Sequence, residues 1–186
     1  LHADSIHLEF RKFYERAILQ KLRAEGSARW LSKSMPGKTG AGQEPERTMT
    51  GSLLEMFYSK NGESFESGNA VGVVVLSERR GAQTVRAETR RLLADNVQFR
   101  FFSGSNRLRD MDAAGNVRLI QEKTTGPEAG SVINSFKTSS DKMKVAFLND
   151  EQTIEYLEQW GNFQYTDGKM TAAAGRCEYD ASIGKV

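Results

Sequence analysis

The chain has 186 residues, 38% of them hydrophobic, and a net charge of +2. That is enough for one domain or one elongated stack with a sizeable core, and it excludes a global bias toward nucleic acid. The longest apolar run, residues 73–76, is far short of the ~20 residues a membrane helix needs, and a lone cysteine, Cys177, excludes an internal disulfide.

Seventeen glycines against three prolines suit many short strands joined by turns. Residues 3–10 read as a first strand, with Ile6, Leu8 and Phe10 on one face. Residues 11–21 fit either an amphipathic helix or strands, and the strand character of their repeat counterpart, residues 151–160, favours strands. The polar, Gly- and Pro-bearing stretch 31–48 reads as a loop. Its Gly37-Lys38-Thr39 lacks both the upstream glycine and the following helix that a phosphate-binding loop needs. Strands resume at 52–58 and 70–76 around a tight turn at Asn61-Gly62. Further strands follow at 84–93 and at 97–102, where Val97, Phe99 and Phe101 share a face. Residues 112–115 read as a turn into 117–120, which carries Val117 and Leu119. A second polar loop spans 123–130. Residues 139–165 read as strand, turn, strand, turn, strand, with Met143, Val145 and Phe147 alternating first and Phe163 and Tyr165 after Gly161-Asn162. Residues 169–179 add another strand, for about a dozen in all.

The stretch 139–165 recurs. Gly-Asn stands at 68, 115 and 161, spaced 47 and 46 residues apart, with Gly26-Ser27 as an earlier copy. Residues 3–10 align with 139–147, setting Asp4 on Asp141, Ile6 on Met143, Leu8 on Val145 and Phe10 on Phe147. Residues 17–26 align with 153–161, residues 85–95 align with 170–180, and 49–58 is a looser cousin. The units fall near 3–30, 49–76, 85–120 and 139–166, with a partial copy at 170–186 and the loop 31–48 outside the pattern. Units that recur at such spacing bury their apolar faces by stacking. The chain lacks an initiator Met and stops inside a repeat, so a segment of a longer, processed protein is expected.

Convergent catalytic chemistry is not apparent. His2 and His7 lie near the N-terminus, and no His/Cys/Asp group has metal-ligand spacing. Neither the Ser139/Lys142 pair nor the Glu178/Asp180 pair sits in a context that singles it out. The surplus is in aromatics expected to face inward, such as Trp30, Phe99 and Phe163. They either fill a core or line a slot for an apolar ligand.

The Ala/Thr-rich strand that ends in Tyr179-Asp180 and runs on through Gly184 to Val186, with its companion phrases at 3–10 and 140–147, resembles the OstA-like repeat of the lipopolysaccharide-transport periplasmic proteins. The resemblance covers most of the chain outside 31–48. It implies an all-β fold, an open V-shaped β-jellyroll of stacked antiparallel strands. It also implies no enzymatic activity and no cofactor or metal. The apolar groove would shield the acyl chains of lipopolysaccharide, through its lipid A part. The expected setting is the periplasm, in a bridge between inner and outer membranes, anchored to either through a part outside this chain. Partners would be other transport proteins joined by edge-strand pairing, or further copies joined head to tail, and not nucleic acid. The lipid-facing residues would be Ile6, Leu8, Phe10, Val97, Phe99, Phe101, Val117, Leu119, Met143, Val145, Phe147, Phe163 and Tyr165. The competing expectation is a structural spacer or assembly module whose core is filled and takes no lipid. A carbohydrate-active jelly-roll or β-helix enzyme, with carboxylates in a polar cleft, is a third.

Overall fold

A computed structural model describes residues 1–32, 46–80, 86–105, 107–125, 132–149 and 153–181. Period-two alternation sets their architecture, and among them there is no helix. Nine strands run in chain order: β1 (Ser5–Phe13), β2 (Arg16–Ser32), β3 (Glu46–Tyr58), β4 (Phe65–Arg80), β5 (Arg86–Phe101), β6 (Leu108–Thr125), β7 (Val132–Phe147), β8 (Ile154–Thr166) and β9 (Thr171–Asp180). Each pairs antiparallel with the next, so the sheet is an open meander with β1 and β9 as its edges. The fold is all-β, stacked antiparallel strands left open at both ends, as expected.

Residues 11–21 are strand, divided by a turn at Tyr14-Glu15. Asn61-Gly62 makes its turn: Gly62 has φ +74° and its N–H donates to the Ser59 carbonyl at 2.8 Å. Residues 33–45, with the Gly37-Lys38-Thr39 stretch, residues 126–130 of the second polar loop and residues 182–186 lie outside the described residues.

Nine long strands replace the expected dozen because Gly115-Asn116 and Gly161-Asn162 are not turns. They are bulges inside continuous strands. Pairing between β6 and β7 skips from Ala114↔Lys142 to Val117↔Ser140, and between β7 and β8 from Ser139↔Gln164 to Lys142↔Trp160. Equivalent shifts fall between Glu25 and Ala28, between Thr50 and Leu53, between Val71 and Val74, and between Leu93 and Asn96. The shifts line up across the sheet. A bulge bends its strand and raises its twist, so an aligned row of bulges folds the sheet into two leaves.

The corner has a repeated construction. Gly26, Gly72, Gly115 and Gly161 take φ of +90°, +92°, +77° and +74°, a region that excludes most side chains. Asn116 and Asn162 follow at φ +50° and +53°. Opposite these glycines stand Asp4, just ahead of β1, and Ser52, Asp95 and Asp141 on the preceding strands. Asp95 Oδ2 accepts from Asn116 Nδ2 at 2.8 Å, and Asp141 Oδ2 accepts from Asn162 Nδ2 at 3.0 Å. Asp4 Oδ2 accepts from the Ser27 N–H at 3.2 Å, while Ser52 Oγ donates to the Val71 carbonyl at 2.9 Å.

Two of the repeat alignments differ in the structure. The corner glycine of the second unit is Gly72, not Gly68, which gives spacings of 46, 43 and 46 residues. Gly68 sits in the regular ladder opposite Phe99, and its missing side chain makes room for that ring. On β9 the corner falls at Gly175, between Ala174 and Arg176. Asp95 therefore matches Gly175 and not Asp180, a slip of five residues in a strand of small side chains that pins no register.

Candidate functional site: a slot between two leaves

Counting from the corner places the inner-face side chains. Two residues beyond each Asp or Ser come Ile6, Leu54, Val97 and Met143. In the ladder they join Ala24, Ala70, Ala113, Gln159 and Cys177 into one row across all nine strands. Four residues beyond stand Leu8, Met56, Phe99 and Val145, in a second row closed by Leu157 and Tyr179. On the other leaf a third row runs Trp30, Met49, Leu76, Leu92, Leu119, Thr138 and Tyr165. In an antiparallel pair, directly opposed residues share a face, so all three rows look inward.

The two inner faces do not meet everywhere. Near the corner they close into a core, with Ala24, Ala70, Val74 and Val97 at 0% exposure. Farther out they leave a slot of about 280 Å³, lined from both leaves by Met49 and Leu92 on one side and Met56, Phe99, Met111 and Leu157 on the other. Phe99 and Phe101 pack edge to face at 5.7 Å between centroids, and Phe136 stacks on Tyr165 at 6.2 Å. These rings give the slot stiff apolar walls.

The outer faces are charged. On one leaf Lys21 Nζ lies 2.8 Å from Glu55 Oε1 and Arg176 Nε lies 2.7 Å from Glu158 Oε1, and on the other Arg91 Nη2 lies 2.9 Å from Glu122 Oε2. At the rim of one leaf the inner face also turns polar. Arg47 Nε donates to Glu78 Oε2 at 3.1 Å, and Glu88 Oε1 accepts from Arg90 Nε at 2.8 Å and from Gln121 Nε2 at 2.7 Å. The slot thus has a polar lip above a floor that is apolar except at Thr138 and Gln159. Among the described residues no group of three or more His, Cys, Asp or Glu is placed to hold a metal.

Eight of the thirteen expected lipid-facing residues line the slot: Phe99, Phe101, Leu119, Met143, Val145, Phe147, Phe163 and Tyr165. Val97 and Val117, at 0% and 1% exposure, sit in the sealed core behind it. Ile6 and Leu8 stand in the inner-face rows at the β1 edge, with Phe10 two residues on; among the described residues little covers them, and they stand 47%, 48% and 57% exposed. Sequence reading missed Met49, Met56, Leu76, Met111, Gln159 and Cys177. Their signal was the fixed offset from each corner, readable only once Gly72 and Gly175 are recognised as corner positions. Burial pushes the Cys177 thiol pKa up. Burial also raises the Tyr165 hydroxyl, helped by the charge of Asp167.

Compared with protein-family models, curated proteins and solved structures, the chain matches none.

Proposed function

We propose that this chain is an OstA-like segment of the lipopolysaccharide-transport apparatus, a non-enzymatic periplasmic shelter for acyl chains. One observation carries the reading: two inner faces of a single bent sheet enclose an apolar slot while their outer faces stay charged. Leaving a lipid tail in water costs about 0.8 kcal/mol per methylene, so ten methylenes cost about 8 kcal/mol. A slot lined by rings and methionines removes much of that cost without gripping any one polar group, which suits cargo that slides. The Arg, Glu and Gln side chains at the lip suit a headgroup that stays wet.

The open edges support the expected partners. Among the described residues no further strand pairs with β1 or β9, so each edge presents a row of backbone donors and acceptors, a template for a further strand. The β1 edge also exposes Ile6, Leu8 and Phe10, which a neighbouring β-module would cover. Further copies of the chain or other transport proteins joined edge to edge would extend the slot into a bridge.

The test is saturable binding of purified lipopolysaccharide to the chain and to a Leu157→Asp variant. Leu157 lines the slot and is half-buried, so its charge blocks the slot while the fold survives. Binding by the parent and its loss in the variant support the reading. A well-folded parent that binds no lipid favours the spacer reading, in which the sheet only holds other modules apart.

A further inference from the structure

We propose that the floor of the slot carries a hydrogen-bonding niche, built by Gln159 and Thr138, that selects acyl ligands bearing a hydroxyl or amide N–H within their buried part. The inference rests on the lipid reading and names the cargo more closely.

The row that runs from Ile6 through Ala24, Leu54, Ala70, Val97, Ala113 and Met143 is apolar until it reaches Gln159. Gln159 is 0% exposed and lines the slot. Its amide is oriented by a short relay. Ser140 Oγ–H donates to the Lys142 carbonyl at 3.0 Å, which commits the hydroxyl hydrogen. Gln159 Nε2 then donates to Ser140 Oγ at 3.4 Å. That leaves Gln159 Oε1 as an acceptor, and it is buried with no partner among the described residues. Thr138, 9% exposed on the facing leaf and also lining the slot, has its Oγ1 in the same condition.

Leaving a buried acceptor unmet is unfavourable, and native interiors rarely tolerate it without a reason. An aliphatic side chain of equal size would serve a purely apolar slot better at both positions. A plain alkyl chain seated there leaves Gln159 Oε1 unmet. A chain with a hydroxyl or amide N–H donates to it, and a hydroxyl can also pair with Thr138. Sites that hydrogen-bond a ligand group discriminate against analogues that lack it.

The experiment measures binding of tetradecanoic acid against hydroxytetradecanoic acids carrying the hydroxyl at C3, C7 or C11. Parent, Gln159→Met and Thr138→Val are compared. Expected is about tenfold tighter binding of at least one hydroxylated chain by the parent. In Gln159→Met that preference falls to within about twofold while tetradecanoic acid binds at least as well as before. Thr138→Val, which keeps size and β-branching, halves the preference or more. If tetradecanoic acid binds and no hydroxylated chain is preferred, the niche is overturned and the lipid slot stands. A preference that persists in Gln159→Met and in Thr138→Val also overturns it. If no chain binds, the slot reading fails and the niche falls with it.

Discussion

Asp141 lies directly against Gly161 across the corner of the sheet: a Cβ built on the glycine would stand 2.8 Å from the aspartate's Cβ, and closer still to its carboxylate. The same carboxylate accepts from Asn162, one residue further on. One pair therefore explains why this point of β8 takes glycine, why an amide follows it and why the strand bends here. Asp4 with Gly26 and Asp95 with Gly115 repeat the pairing.

Gly161→Ala must accept both a left-handed backbone and that clash. We expect it to cost about 2–4 kcal/mol in urea unfolding, the sum of a strained φ and overpacking. Gly175→Ala, where nothing lies within 4 Å of a built Cβ, should stay within about 0.5 kcal/mol. Equal costs at the two sites would contradict the corner's construction.

Gly68→Ala tests a different cause. Its backbone lies outside the positive-φ region, and the obstacle is the Phe99 ring beside the Glu55 carbonyl. A loss of about 1–3 kcal/mol is expected, and it should shrink in the Phe99→Leu background. A double-mutant cycle reads the coupling.

The β8–β9 turn has a pH handle in Asp167. Its carboxylate accepts from the Met170 N–H at 2.8 Å and the Lys169 N–H at 2.9 Å, and those bonds, Met170 first, hold its pKa below the ordinary value of 3.8. A depressed carboxylate pKa adds stability above the unfolded value and loses it as pH falls through the folded one. Hydrogen-exchange protection of the Lys169 and Met170 amides should therefore hold above about pH 4 and fade below it. Asp167→Ala should show the faded state at neutral pH. Unchanged protection in that variant would contradict the role given to the carboxylate.

At the β1 edge, Ile6→Lys with Phe10→Lys replaces two exposed apolar side chains by charges. Edge charges block strand addition. Sedimentation should show less self-association than the parent, with the fold intact by circular dichroism. Parent and variant that associate alike would argue against edge-to-edge joining through β1.

Alternation made the strands legible, because in β2 to β8 apolar side chains turned inward alternate with more exposed ones, whereas β1 and β9 bury little of either face. The pairing of Asp4, Ile6 and Leu8 with Asp141, Met143 and Val145 agrees with the corner geometry, since both stretches carry Asp at the corner and apolar side chains two and four positions on. The Gly-Asn marker found two true corners because Asn tolerates the left-handed backbone of positions 116 and 162. It misled at Gly68, where glycine answers to Phe99, and missed Gly72, where Val73 follows instead. Strand continuity through the corners was illegible because a bulge and a turn share their letters. Gln159 and Thr138 went unread because a polar letter in an alternating strand suggests the outer face until the register is known.

The most direct measurement uses Cys177, the only cysteine in the chain and part of the slot's lining. Its rate of maleimide labelling would be followed at pH 8.5 with and without lipopolysaccharide, since the thiolate is the reactive form. A sheltering slot predicts labelling slowed about tenfold or more at saturating lipid, with relief in Leu157→Asp. Saturable binding that leaves the Cys177 rate unchanged would place the lipid outside the slot and contradict the proposal.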